Sequence, residues 1–355
     1  MSCNPMSCNA QPDHVFRNDG GRFVDVSEAS GVRRADTDGR GLGVVAADLD
    51  EDGKIDLFVA NDKSANFLFR NLGGFKFSEI AHEAGVAGNA EGGYQAGMGV
   101  ASGDFDDDGK LDLFVTNYYG ESVSEFRNFG GWVFIDRTQA SGLGALSRTR
   151  LGFGVGLFDV NNDSRPDLLT ANGHTDDLGD TPYRMPMQLL LGMPEGRFQD
   201  ATTQAGSALT RPRLGRGLAI GDLDNDGRID ALVVDQNQPI AMLHNTTPRV
   251  GHWIGFVLAG TTSNRDGVGA IVSVDATRRR HSAQRLGGGS YLAANDARVH
   301  FGLGRADRVD EVEVDWPSGK ISRYPRLAAD RYYLIREGAA EAVALPLSPG
   351  WHQRR

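Results

Sequence analysis

Four nine-residue stretches carry oxygen-bearing side chains on alternate positions: Asp48 to Asp56, Asp104 to Asp112, Asp159 to Asp167 and Asp222 to Asp230. The first sets out Asp48, Asp50, Asp52, Gly53 and Asp56. It recurs as Asp104, Asp106, Asp108, Gly109 and Asp112, and again as Asp222, Asp224, Asp226, Gly227 and Asp230. The third copy is degraded: Asn161 stands between Asp159 and Asp163, Ser164 replaces the glycine, and Pro166 precedes Asp167. Hard cations such as Ca2+ take roughly 6 to 8 oxygens at about 2.3 to 2.6 Å, and alternate residues of a tight loop can turn several carboxylates inward. Glycine permits the sharp turn with positive φ at no steric cost. The seventh position (Lys54, Lys110, Arg165, Arg228) is expected to lend a backbone carbonyl while its side chain points to solvent. About four Ca2+ sites are therefore expected, the third the weakest.

These are not EF-hands. That loop needs a glutamate at position 12 and flanking helices, whereas position 12 here is Val59, Val115, Thr170 and Val233. The flanks, Leu42 to Ala47 and Ile55 to Ala60, are short, apolar and bounded by Gly and Asp, as strands are. The loop is then a hairpin between two strands. Asp-Gly hairpins without metal are common, so the recurrence carries the cation argument.

The loops start at residues 48, 104, 159 and 222, a recurrence of the kind that signals propellers or arrays. A second landmark follows the same rhythm: Phe16-Arg17-Asn18-Asp19-Gly20-Gly21, Phe69-Arg70-Asn71-Leu72-Gly73-Gly74 and Phe126-Arg127-Asn128-Phe129-Gly130-Gly131, with a weaker copy from Leu190 to Phe198. A small-residue stretch such as Ser27 to Val32 comes next and reads as one helical turn closed by glycine. Each unit thus offers four strands, as a propeller blade does.

Two landmarks in fixed order over about residues 14 to 245 resemble the FG-GAP or VCBS repeat. Beyond residue 250, Asn264 to Ala270, Arg285 to Leu292, His300 to Gly304 and Val312 to Gly319 resemble the ASPIC/UnbV domain, and the whole chain resembles the cartilage acidic protein family. The resemblance implies an all-β protein: four calcium-loop blades plus an N-terminal half blade (Val15 to Val26), then a small β-sandwich. Expected boundaries are a tail at 1–13, the propeller at 14–248, the ASPIC/UnbV domain at 249–338 and a tail at 339–355. Family members carry about seven blades, so the ring here is smaller, or starts late, or closes by pairing the half blade with Ile240 to His244. An open ring exposes sheet edges and implies a homo-oligomer or a partner.

With 47 acidic and 37 basic residues the 355-residue chain carries a formal charge of -10, which four bound Ca2+ would largely cancel. Net acidity argues against nucleic acid. Arg278-Arg279-Arg280-His281 is the dense basic spot and reads as a solvated hairpin end. No apolar run approaches the roughly 20 residues of a membrane span, and Met1 to His14 lacks the basic start and apolar stretch of a signal peptide. The chain as written would stay in the cytoplasm, whereas the resemblance implies a secreted or periplasmic protein. Cys3 and Cys8, the two cysteines, suit a disulfide, free thiols or a tail equally.

Two constellations raise catalysis. In the excursion from Asn172 to Gln188, His174 beside Asp176 or Asp177, with Tyr183, offers a general base or metal ligand; a histidine bonded within its loop explains it more simply. In the C-terminal region Arg285, Tyr291, Asp296, His300 and Trp316 sit on neighbouring strands, and alternation could bring His300 and Trp316 to one face. Core packing accounts for Phe301, Val312, Val314 and Trp316 more simply. Gly287-Gly288-Gly289-Ser290 superficially has the composition of an oxyanion or phosphate loop, but a lone glycine run reads more simply as a flexible hairpin between strands of the C-terminal sandwich. The expected function is a calcium-stabilised, non-catalytic module recognising a protein or glycan partner, with an enzyme centred on His174 as the alternative.

Overall fold

The computed structural model describes residues 5–7, 9–33, 39–177, 179–248 and 251–346. The cysteine question falls outside them. Three four-stranded antiparallel sheets follow in chain order. The first comprises β3 (Gly41–Ala47), β4 (Asp56–Asn61), β5 (Phe67–Gly73) and β6 (Lys76–Glu79), and is preceded by a hairpin, β1 (Phe16–Asp19) with β2 (Arg22–Asp25). The second holds β7 (Val100–Gly103), β8 (Asp112–Val115), β9 (Ser124–Asn128) and β10 (Phe134–Asp136). The third holds β11 (Gly152–Phe158), β12 (Asp167–Asn172), β13 (Gln188–Met193) and β14 (Arg197–Asp200). A fourth sheet has three strands, β15 (Gly215–Gly221), β16 (Asp230–Asp235) and β17 (Ala241–Leu243).

Each acidic nonapeptide bridges the first two strands of its sheet, and the Gly-Gly turns bridge the last two. Gly73 and Gly74 sit at φ 85° and 60° and Gly130 and Gly131 at 77° and 59°, conformations only glycine adopts readily. The one-turn helix α1 (Ser27–Ser30) ends on Gly31 in the left-handed region.

Strand alternation builds the interfaces between sheets. In β8, Leu113 faces Phe58 and Leu68 of the first sheet while Phe114 faces Leu168 and Leu190 of the third. In β12, Leu168 looks back and Leu169 looks on to Leu218 and Val233. Each such fully buried side chain contributes about 1.5 to 3 kcal/mol. The innermost strands meet at a recurring Gly-x-Gly. A Cβ on Gly43 would lie 2.2 Å from the carbonyl of Met98, and one on Gly99 would lie 2.1 Å from that of Phe153. On Gly154 it would lie 2.5 Å from Leu218 Cβ. The blades thus stand in order around an arc.

The arc does not close on itself by strand exchange: β1 pairs with β2, β17 pairs with β16, and the half blade does not join Ile240 to His244. Both ends are apolar and exposed, with Phe23 69 % and Ile240 65 % accessible.

The C-terminal domain packs two four-stranded sheets face to face. One is ordered β21-β18-β24-β25, from β18 (His252–Ala259), β21 (Val299–Gly304), β24 (Arg331–Arg336) and β25 (Val343–Ala344). The other is ordered β20-β19-β22-β23, from β19 (Ile271–Ala276), β20 (Arg279–Gln284), β22 (Glu311–Asp315) and β23 (Ile321–Pro325). Phe256, Val272, Val312, Val314, Phe301 and Trp316 fill the space between them. No helix among the described residues is long and apolar enough to cross a membrane.

Candidate metal centres and the interdomain contact

One hydrogen-bond template is stamped four times. The carboxylate at loop position 1 accepts the N–H groups of positions 5 and 6: Asp48 from Asp52 and Gly53 at 3.1 and 2.9 Å, Asp104 from Asp108 and Gly109, Asp159 from Asp163 and Ser164, Asp222 from Asp226 and Gly227. Position 9 accepts the N–H of position 2 and one from the third strand, as Asp112 does from Phe105 and Asn128. That second partner is Asn71, Asn128, Gly192 or Asn245. The asparagine of the Phe-Arg-Asn landmark is thereby explained. Its Nδ2 also donates to the carbonyl just before position 9, and in Asn128 and Asn245 to the preceding blade's loop, at Leu49 and Val160.

Two residues per loop are left-handed: Glu51, Asp107, Asn162 and Asn225 at position 4 (φ 58° to 60°), and Gly53, Gly109, Ser164 and Gly227 at position 6. Ser164, at φ 73°, bears a Cβ where its counterparts have none, a local cost.

This geometry gathers ligand atoms. In Asp48, Asp50 and Asp56, in Asp104, Asp106 and Asp108, and in Asp222, Asp224 and Asp226, one oxygen from each lies within 4.8 Å of the others. Asp224 and Asp230 form a further such group with His244. Buried Oδ1 atoms of Asp50 and Asp224 have no hydrogen-bond partner in the protein, so the donor set fits a hard divalent cation. Burial, with repulsion from loop neighbours behind it, pushes Asp56 and Asp104 up to about 7 and Asp112 up to about 8. Asp159 and Asp167 are pushed up likewise, to about 7 and about 8. In the third loop Asn161 Nδ2 donates to Asp163 and Arg165 pairs with Asp163; no comparable cluster forms there among the described residues.

The seventh-position side chains lie at the surface, and each pairs there with the fifth-position aspartate of its own loop. Lys54 reaches Asp52 at 2.5 Å, Lys110 reaches Asp108 at 3.0 Å, and Arg165 and Arg228 pair likewise. Two residues apart in a tight loop, opposite charges meet at the solvent-exposed surface.

All four loops face the C-terminal domain. Asp48 N–H donates to Gln284 Oε1 at 3.0 Å, and His281 Nδ1 lies 2.8 Å from Asp107 Oδ1. His281 thus leaves the hairpin-end basic run to contact a loop, while Arg280 pairs with Asp275 and Glu313. Gly304 N–H donates to Asn162 O, and a Cβ on Gly302 would strike Asp159. At the fourth loop Tyr332 donates to Asp222, Arg298 to Asn225, and His300 Nε2 to Gly227 O at 3.2 Å. His300 stacks on Trp253 with ring centres 5.5 Å apart, and burial pushes its pKa down to about 4.

The Gly-rich segment is a docking strap. Ser290 N–H donates to Val100 O and its Oγ accepts Val155 N–H, both at 2.8 Å; Asp296 N–H donates to Ile220 O, and Asn295 Oδ1 accepts Ile220 N–H. It covers inner strands β7, β11 and β15, with Tyr291 against Phe153.

The catalytic candidates are not assembled. His300 and Trp316 belong to different sheets: Trp316 lies in the sandwich core and donates to Ser322 Oγ at 3.0 Å. His174 is buried beneath Tyr118 and Tyr119, 1 % exposed. Its Nδ1 accepts the backbone N–H of Asp176, so Nε2 carries the proton and meets Tyr118 Oη at 3.1 Å. Tyr183 contributes its carbonyl to His174 N–H. Both ring nitrogens are engaged in holding the excursion.

A family model for the FG-GAP-like repeat matches residues 6–59, 48–115, 104–170 and 159–233, and one for ASPIC and UnbV matches 260–342. The chain belongs to the FG-GAP-like repeat family. Its FG-GAP repeats and ASPIC/UnbV domain are similar to cartilage acidic protein 1 of Xenopus tropicalis, 30 % identical over 294 residues that cover 79 % of this chain and 42 % of that protein. The Homo sapiens protein of the same name is 28 % identical over 306 residues, covering 84 % and 43 %. The chain spans less than half the length of these relatives. Among solved structures, an Agrocybe aegerita lectin recognising non-reducing terminal N-acetylglucosamine aligns at 19 % identity over 66 % of this chain and 60 % of that one, with a TM-score of 0.35, too low to carry an argument.

Proposed function

We propose that this chain is a calcium-stabilised, non-catalytic recognition module acting outside the cell on a protein or glycan partner. The observation that carries the reading is the repeated loop template, in which three loops bring carboxylate oxygens within 4.8 Å of one another. Ca2+ at the first, second and fourth loops is held by Asp48, Asp50 and Asp56, by Asp104, Asp106 and Asp108, and by Asp222, Asp224 and Asp226. Asp52, Asp112 and Asp230 stand in reserve, and the backbone carbonyls of Lys54, Lys110 and Arg228 complete the shells. The third loop, with Asp159, Asn161, Asp163, Asp167 and the Arg165 carbonyl, is the weakest. The ion would supply fixed positive charge to carboxylates that burial disfavours.

The exposed apolar ends of the arc support a protein partner or second copy, and the match to cartilage acidic proteins supports an extracellular setting. Isothermal calcium titration tests the reading: three strong sites and one weak site are expected. Heat-free titrations together with an unchanged melting temperature in chelator would overturn it.

A further inference from the structure

Where the arc meets the C-terminal domain there is a cavity of about 250 Å³, walled by inner strands β7, β11 and β15 and by β20, β21 and the strap. That is room for roughly eight water-sized groups at about 30 Å³ each. Leu157, Phe158, Ile220 and Phe301 give it apolar walls.

Its charged lining is almost wholly committed. Asp107 is paired with His281, and Asp296 with Arg298 at 2.7 Å. Asp104 and Asp159 each hold two N–H groups of their own loops. His300 is neutral and donates to Gly227 O. Arg285 is the remainder. It is half-buried and donates from Nη1 to Leu286 O, its Nε–H has no partner, and no carboxylate among the described residues lies within ion-pair distance. Asp266 and Asp296 act on this guanidinium only from beyond ion-pair distance and burial lowers its pKa, so an anion in direct contact would relieve a desolvated charge, and a carboxylate suits its planar geometry.

We propose that this cavity binds a small organic carboxylate with an apolar body, the carboxylate on the Arg285 guanidinium and the body against Leu157, Phe158 and Ile220. The volume suits the body of a single ring. The walls disfavour a bare inorganic anion, which would leave them without a partner.

The test uses the full chain in calcium, with benzoate as probe, benzamide as its neutral isostere and inorganic phosphate as a bare anion, followed by ligand-observed NMR. Saturable benzoate binding is expected, with benzamide and phosphate each at least ~10-fold weaker, the discrimination a charge-assisted hydrogen bond provides. Arg285→Gln should lower benzoate affinity to the benzamide level, and Arg285→Lys, which keeps the charge without the fork, should fall between the parent and Arg285→Gln. Leu157→Phe, which adds bulk to the apolar lining, should abolish binding independently of Arg285. The proposal is overturned if benzoate does not saturate, if benzamide or phosphate matches it, or if the Arg285→Gln and Leu157→Phe proteins bind as the parent does. Melting each sample with and without chelator separates failure here from failure of the calcium reading.

Discussion

The phenol of Tyr332 donates a 2.7 Å hydrogen bond to Oδ2 of Asp222, the oxygen that also accepts Gly227 N–H inside the fourth loop. A strand of the C-terminal sandwich thus shares its acceptor with the first position of an acidic loop. Tyr332→Phe should destabilise the protein by about 1 to 3 kcal/mol, because the acceptor is a buried carboxylate, and should alter calcium affinity at one site of the set. Urea unfolding and titration calorimetry read the two effects. A variant matching the parent in both would remove Tyr332 from any coupling between loop and sandwich.

Chelation should loosen the sandwich as well as the blades, since every loop touches it. At calcium 100-fold above its dissociation constant, each site adds about 2.7 kcal/mol. Differential scanning calorimetry in calcium and in EDTA is expected to show a lower melting temperature in EDTA, with faster proteolysis near residues 245–252. Equal curves and equal digestion would contradict it.

The pH response of the calcium-free protein has a definite sign. Asp56 and Asp104 are raised to about 7, and Asp112 and Asp167 to about 8, all above the ordinary aspartate value of 3.8. The folded state then holds more protons than the unfolded chain, so their contribution is complete below about 4 and is lost as pH rises through 7 to 8. Calcium favours the ionised form. The gap between melting temperatures with and without calcium should therefore widen from pH 5 to pH 8, and a constant gap would refute this.

His174→Ala should cost about 2 to 4 kcal/mol through the void and the lost partners of Tyr118 Oη and Asp176 N–H. Calcium stoichiometry should not change. Chemical denaturation checks the first, titration the second; an unaltered stability would mean the ring is not a structural anchor.

The loops, the Gly-Gly turns and the four-strand units were legible because each is a local pattern of turn chemistry and alternation. The Gly-x-Gly at Gly41, Gly97 and Gly152 was equally visible, yet its meaning depends on a neighbouring blade's carbonyl, and the copy at Gly215 faces the carbonyls of Tyr291 and Leu292, so both lie outside local reasoning. Leu243-His244-Asn245 is the fourth counterpart of Phe69-Arg70-Asn71. The bonds from Asn245 to Asp230, Ile229 and Val160 reveal it. His300 and Trp316 were misplaced together because alternation fixes a face within one sheet and says nothing about which of two stacked sheets a strand joins.

The strap from Arg285 to Arg298 ties β7 to β15, two sheets that are not neighbours in the arc. Curvature is therefore set by a chord as well as by the rim. Cutting one peptide bond between Ser290 and Asn295 would leave every blade intact while freeing the angle between the second and the fourth, turning a braced bow into a hinged fan.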